Sequence, residues 1–293
     1  IFKSRSDSEV ILHAYEEWGE EFVSHLDGMF SFVIWDSRQK KVVLAVDRLG
    51  IKPLYFAEIN GALIFASEAK ALFASSILNC EADYSTLPYH MTFLTAPFPK
   101  TMFRGVRKLK PGCVSFYQNG VLREVQYWDK LFIENNSAWK DGPYEQIASL
   151  LEEAVVKQSF CDVPMGVFLS GGLDSSTIGN NLSKLKKEAF KSYFVGFSQK
   201  DQKEDILFDE SEYARQMAEK IGSPLHEVIL DIKEIEKLLP KLIWHMDEPI
   251  GDPALISTYL VCKAAKESST VLLSGVGGDE LFGGYPRYRA QSI

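Results

Sequence analysis

The chain has 293 residues, 46% hydrophobic and 25% charged, an ordinary globular composition with room for two domains. Its formal charge of −8, from 32 basic against 40 acidic residues, excludes a general electrostatic affinity for nucleic acid or anionic membrane. No apolar run approaches the roughly 20 residues that a membrane helix needs, and no secretory leader is evident, so a cytoplasmic protein is expected.

Four cysteines, Cys80, Cys113, Cys161 and Cys262, stand far apart with no Cys-x-x-Cys spacing. Core thiols are expected, rather than a zinc site or a disulfide framework. The histidines show no metal-ligand spacing either.

The chain opens at Ile1 and enters a helix almost at once, as though read from within a domain. Ser6 and Glu9 fit a capping box, and Val10, Ile11, Ala14, Tyr15 and Trp18 recur on one face, predicting a helix over about 8–19. Phe30 to Trp35 and Val42 to Val46 read as paired strands around a polar turn. Short strands follow near 54–56 and 63–66, joined at Asn60-Gly61, and a second hairpin is signalled at Asn119-Gly120. Residues 1–128 therefore read as mostly antiparallel sheet with a few helices, and the aperiodic stretch 129–142 as a linker.

From 143 onward helices and strands alternate. Ile147, Leu150, Leu151, Ala154 and Val155 mark a helix; strands are expected at 163–169, 192–197, 225–230 and 270–274; further helical stripes cover 214–221 and 235–243. This predicts a parallel sheet with helices on both faces and ligands beyond the carboxyl ends of its strands.

Ser170-Gly171-Gly172-Leu173-Asp174-Ser175-Ser176 follows the first of those strands and leads into a helix. Such a turn exposes backbone N–H groups to a pyrophosphate, with the helix dipole behind it. Asp174 would be tolerated beside phosphates only with a cation between them, which points to Mg²⁺. The loop lacks the Gly-Lys-Ser/Thr of a Walker A sequence. After the last strand comes Ser274-Gly275-Val276-Gly277-Gly278-Asp279-Glu280, a second glycine-rich turn with acids. The two loops should face one crevice, with Asp174 and Asp279 on opposite sides of one Mg-pyrophosphate. The acids Asp247, Glu248 and Asp252 either line that crevice or cap the helix after them, and Asp209 to Glu212 read as a helix cap.

Together these motifs resemble the glutamine-hydrolysing asparagine synthetases over nearly the whole chain. Ser170 to Ser176 is similar to that family's pyrophosphatase-type ATP loop, and Ser274 to Tyr285 to its second signature. The front part resembles the family's N-terminal-nucleophile glutaminase at 6–11, 28–32, 47–55 and 67–72. The resemblance implies an incomplete αββα class II glutamine amidotransferase domain at 1–128, a linker at 129–142, and an incomplete α/β parallel-sheet PP-loop domain at 143–293.

It further implies ATP and Mg²⁺ as cofactors, glutamine, aspartate and ATP as small-molecule partners, no nucleic-acid or membrane partner, and a homodimer if an assembly forms. Asp7 would bind the α-amino group of glutamine. Ser170, Gly171, Gly172 and Ser175 would hold pyrophosphate, with Ser274 in the second loop. Asp174 and Asp279 would hold the metal, and Leu169, Val195 and Gly275 would line the adenosine pocket. Asp47 and Arg48 would form the structural turn behind the glutamine site. In the reaction implied, the β-carboxylate of aspartate attacks the α-phosphorus of ATP, pyrophosphate leaves, and ammonia displaces AMP.

The chain departs from the family in three places. No cysteine precedes Cys80, so no catalytic residue is assigned in the glutaminase half and the polypeptide as given is not expected to hydrolyse glutamine. It stops soon after Arg287 and Arg289, short of the family's phosphate-contacting lysine, which points to truncation at both ends. Val276 stands where many relatives carry an acid. A related amidotransferase with another carboxylate acceptor, or a catalytically incomplete nucleotide-binding module, is the alternative.

Overall fold

The structure, a computed structural model, describes residues 1–129, 143–185, 189–197, 210–230, 232–252, 254–286 and 288. Most of the expected linker, as well as Asp209, Arg287 and Arg289, lies outside them. The chain divides into two units, residues 1–133 with 243–251, and 134–242 with 252–293.

The first unit opens with α1 (Asp7–Trp18). Ser6 caps it, its hydroxyl accepting from the Ser8 amide at 3.2 Å. The expected capping box is only half formed. The Glu9 carboxylate accepts from the Lys3 and Ser4 amides, both at 2.6 Å, instead of turning to the Ser6 amide. A 3₁₀ turn over Gly19–His25 follows and buries Phe22 and Val23.

Strands β1 (Ser31–Asp36) and β2 (Lys41–Val46) pair antiparallel as expected. Next come β3 (Tyr55–Ile59), β4 (Ala62–Ala66), α2 (Ala69–Ala74), α3 (Leu87–Phe93), β5 (Arg107–Lys108), β6 (Cys113–Gln118) and β7 (Val121–Gln126). Both hairpin turns hold an Asn-Gly pair at positive φ, 51° and 77° at Asn60-Gly61 and 54° and 77° at Asn119-Gly120. A type I′ turn demands this, and it matches the twist of the flanking strands.

The strands form two sheets, β1-β2-β6-β7 and β4-β3-β5. Alternation along β2 sets the layers. Val43 and Ala45 pack with Ala14, Phe22 and Val23 under α1, whereas Leu44 and Val46 pack with Phe56 of the smaller sheet and with Leu54 and Leu109, which flank its strands β3 and β5. The far side of that sheet is closed by α2, where Ala69 and Leu72 meet Tyr55 and Val106. Helix, sheet, sheet and helix thus stack as an αββα sandwich.

In the second unit, α4 (Pro143–Gln158) leads to β8 (Met165–Phe168), α5 (Leu173–Leu185), β9 (Lys191–Phe197), α6 (Ser211–Lys220), β10 (Leu225–Leu230) and α7 (Ile232–Met246), whose last turn joins the first unit. Then follow α8 (Ala254–Ala265), β11 (Val271–Leu273) and α9 (Gly278–Phe282). The sheet is parallel throughout, in the order β10-β9-β8-β11. Val167 and Leu273 face a core shared with Val155, Leu182 and Ala218 of α4, α5 and α6. Their neighbours Phe168 and Leu272 face Val261 and Ala265 of α8. Both faces are covered, as buried parallel strands require.

One expectation needs correction. Among the cysteines only Cys113 is buried; Cys80 and Cys262 are exposed and Cys161 is intermediate. Of the cap expected at 209–212, Glu210 occupies the N-cap position of α6 without a side-chain cap bond, and Asp209 lies outside the described residues. No helix among the described residues is long and apolar enough to cross a membrane.

Candidate functional site

The sheet order fixes where a ligand would sit. From β8 the chain runs to β9 and β10 on one side, and β11 then returns to the other side of β8. The switch point therefore lies between β8 and β11, and the loops leaving their carboxyl ends diverge to open a crevice. Those loops are Ser170 to Gly172 and Ser274 to Gly277, the two glycine-rich turns.

The first loop is tied by its own hydroxyls. Ser175 Oγ accepts from the Ser170 amide at 3.1 Å, lies 2.9 Å from Ser170 Oγ and donates to the Gly172 carbonyl at 3.3 Å. Ser170 Oγ in turn accepts from the Gly172 amide at 3.3 Å. Gly171 takes φ +87°, and a Cβ there would lie 2.8 Å from the Glu210 carbonyl oxygen and 2.9 Å from the Ala214 nitrogen, so only glycine fits. At Gly172 the nearest atom to such a Cβ is the Ser170 hydroxyl oxygen at 3.4 Å, an ordinary contact, so no clash demands glycine there.

The second loop packs directly on the first. A Cβ on Gly275 would lie 2.6 Å from the Ser175 nitrogen, and one on Gly278 would run into the Asp174 carboxylate. Glycine here permits the close approach of one loop to the other. Glu280 steadies the turn, accepting from the Gly277 amide at 3.1 Å and from the Tyr285 hydroxyl at 2.7 Å.

Asp174, in the first turn of α5, is brought against Asp279. Burial raises its pKa above the ordinary carboxylate range; the Asp279 and Glu280 charges raise it further, and the Asp279 amide opposes them. Among the described residues no group of three or more side chains gathers to hold a metal ion. Asp174 and Asp279 are hard oxygen donors of the kind Mg²⁺ accepts beside phosphate oxygens and water, so the pair fits such an ion.

Leu169 is fully buried in the core beneath α5, and its amide donates to the Tyr193 carbonyl at 2.9 Å. Its side chain serves packing, leaving only main chain for a ligand. Val195 is half-buried in β9 and packs on the Tyr193–Val261 cluster. Val276 is 87% exposed at the tip of the second loop.

In the first unit, Asp7 is exposed at the start of α1, 3.4 Å from the Ser6 and Ser8 hydroxyls. Asp47 is 1% exposed, and its carboxylate accepts from the amides of Phe30, Leu49, Ile51 and Lys52 at 3.0 to 3.2 Å. Arg48 turns away to Asp27 at 3.6 Å. This is the geometry of a structural turn.

Among the described residues Asp247 and Glu248 cap no amide of α8; the Asp247 carboxylate instead accepts from the Lys70 amide, in the first turn of α2, at 3.2 Å. Both acids are buried against Lys70 and Lys108 in the first unit. Asp252 does cap, accepting from the Ala254 amide at 2.9 Å. The buried pairing was not legible in sequence, because lysine and acid lie more than a hundred residues apart.

Residues 146–293 match the family profile described as asparagine synthase, and residues 1–128 match the glutamine amidotransferase domain. The chain is 37% identical over 289 residues to asparagine synthetase [glutamine-hydrolyzing] 1 of Bacillus subtilis, covering 98% of this chain and 44% of that one. It is 35% identical over 298 residues to a putative asparagine synthetase of Mycobacterium bovis, covering 99% and 44%. It is also 30% identical over 310 residues to amidase chyE of Penicillium rubens, covering 100% and 45%. The chain thus spans less than half the length of these relatives.

Proposed function

Because the chain belongs to the asparagine synthase family, we propose that its second unit is the nucleotide-binding part of an ATP-dependent asparagine synthetase and its first unit the glutamine-handling part. The observation that carries this reading is the seating of Gly275 and Gly278 on Asp174. It draws two glycine-rich, acid-bearing loops to one switch point, where ligands of open parallel sheets bind.

In this reading the Gly171 and Gly172 amides and the Ser170 and Ser175 hydroxyls take the phosphate oxygens of ATP. To do so the hydroxyls exchange the hydrogen bonds they now share. Asp174 and Asp279 hold Mg²⁺, which when bound neutralises charge on the polyphosphate. Main chain at Leu169, Val195 and Gly275 borders adenosine, and Ser274 supports the second loop.

The proposed chemistry is adenylation followed by amidation. The β-carboxylate oxygen of aspartate forms a bond to the α-phosphorus as the bond to the bridging oxygen breaks, releasing pyrophosphate. Ammonia then adds to the β-carbonyl carbon and gives up a proton as the carbon–oxygen bond of the mixed anhydride breaks, and AMP leaves with the bridging oxygen. No protein nucleophile is needed; alignment and charge stabilisation suffice. In the intact protein the ammonia comes from glutamine, whose α-amino group Asp7 would bind.

Calorimetry of this chain with Mg-ATP tests the binding half. Saturable binding that is lost in Asp174→Ala is expected, and equal binding by that variant would remove the proposed site. In the intact protein, labelled pyrophosphate should exchange into ATP only with aspartate present. Exchange that ignores aspartate but follows another carboxylate would assign a different acceptor.

A further inference from the structure

The second loop and the short helix α9 that follows it carry Gly275, Gly277, Gly278, Gly283 and Gly284. Glycines let this backbone come close to Asp174, but they also leave it with the most conformational freedom to lose on ordering. A helix of five residues does not supply that order by itself.

Two sets of contacts close the segment on itself. Glu280 carries the first. One of its carboxylate oxygens accepts from the Gly277 amide at 3.1 Å, where Gly277 stands at φ +111°, and the other accepts from the Tyr285 hydroxyl at 2.7 Å. Asp279 carries the second. Its carbonyl accepts from the Gly284 amide at 3.0 Å, and a Cβ on Gly284 would run into Asp279 Oδ1. The chain turns back at Gly283, φ +67°, which lays Gly284 against the Asp279 carboxylate and brings Tyr285 to Glu280. Tyr285 is half-buried, its ring edge-on to that of Tyr288 at 5.7 Å.

These contacts converge on the acid pair. Gly278 sits on the Asp174 carboxylate, the Asp279 amide donates to that carboxylate, and Gly284 closes on the carboxylate of Asp279. Two like charges are thus kept close against their repulsion. The bond between Glu280 and Tyr285 brackets Gly278 and Asp279, so it opposes both the repulsion and the freedom of the glycines.

We propose that Glu280 and Tyr285 are positioning residues, whose hydrogen bond locks the turn over 277–285 and holds Asp279 beside Asp174 for one divalent cation shared with the phosphates of a nucleotide. The inference rests on the Mg-nucleotide reading and adds to that site two side chains that act through Asp279. An acid pair already in place loses less freedom when the cation arrives, so its affinity is higher. Glu280 could also act on the cation through its charge, which already bears on Asp174. Removing the Tyr285 hydroxyl removes a bond and no charge, and so separates the two.

The test is calorimetry of this chain with ATP over a series of Mg²⁺ concentrations, alongside amide exchange at Gly277 and Gly284. Tyr285→Phe should weaken binding about threefold, and Glu280→Ala, which loses both bonds, about tenfold. The Mg²⁺ concentration giving half the maximal effect should rise in both variants, and exchange at the Gly277 amide should quicken. Glu280→Gln still presents an oxygen to the Gly277 amide and an NH₂ to the Tyr285 hydroxyl, so it should bind as the wild type does. The urea midpoint should not move in Tyr285→Phe, which separates positioning from a general loss of fold. A wild type that binds no Mg-ATP overturns the nucleotide reading and the positioning role with it. A wild type that binds, with Tyr285→Phe unchanged in affinity and in Mg²⁺ dependence, leaves the nucleotide site standing and overturns the positioning role alone. Glu280→Gln as weak as Glu280→Ala would assign the effect to charge and overturn that role equally.

Discussion

The Asp174 carboxylate fills the space that a side chain at Gly278 would need, so the first acid of one loop is the floor on which the other rests. Gly278→Ala should therefore push the loops apart. Overpacking of this kind costs about 1 to 3 kcal/mol. Urea unfolding should show a loss of that size, with Mg-ATP affinity falling at least tenfold by calorimetry. A fall in stability with affinity intact would mean that the spacing of the loops does not govern binding.

Asp174 also carries a charge that its neighbours oppose. Asp174→Asn keeps the shape and removes the repulsion from Asp279 and Glu280. Without nucleotide the variant should be as stable as the wild type or more stable, by about 0.5 kcal/mol given partial solvent screening. With Mg-ATP the order should reverse, because only the wild type gains the stabilisation of a bound ligand. Thermal unfolding of both proteins with and without Mg-ATP, and after chelation of Mg²⁺ with EDTA, makes the comparison.

Leu169 distinguishes packing from ligand contact. With its side chain fully buried among Val167, Leu182 and Ala218, Leu169→Ala should cost about 2 to 5 kcal/mol. Protein that remains folded should bind Mg-ATP nearly as well as the wild type, since only main chain at this position borders the crevice. A large affinity loss at unchanged stability would place the side chain against the nucleotide instead.

How much of this was legible in sequence follows from the range of the forces involved. The hairpins at Asn60-Gly61 and Asn119-Gly120 and the alternation from Met165 onward are local signals, and the structure contains them. The approach of the two loops followed from a topological rule, because parallel strands place their carboxyl ends on one edge. Helix α3 and the two-residue strand β5 carry too little periodicity to be seen. Glu9 fitted a capping pattern, but competition with the nearer Lys3 and Ser4 amides decided its partner. Asp247 and Glu248 read as surface or crevice acids because nothing local announces Lys70 and Lys108.

Asp47 should prove structural. Four backbone amides converge on its buried carboxylate, and Asp47→Ala would strand them. A loss of roughly 3 kcal/mol is expected, in line with charge-assisted bonds left unmade. Exchange of the Leu49, Ile51 and Lys52 amides should quicken while the second unit is unaffected. Full stability in Asp47→Ala would show that the turn is held by something else.

Glu9 supplies a pH dependence whose sign is fixed by its partners. Hydrogen bonds from the Ser4 hydroxyl, then from the Lys3 amide, lower its pKa from 4.5 to about 2. A carboxyl depressed in the folded state holds its contacts fully above the unfolded value and loses them as pH falls through the folded one. Residues 3 and 4 should therefore stay fastened to α1 at pH 4 and release only as the pH approaches 2. In Glu9→Gln, release at the Lys3 and Ser4 amides should lose this pH dependence. Following the two amide resonances from pH 6 to pH 2 decides the matter, and a midpoint near 4.5 would show that Glu9 titrates as a free side chain.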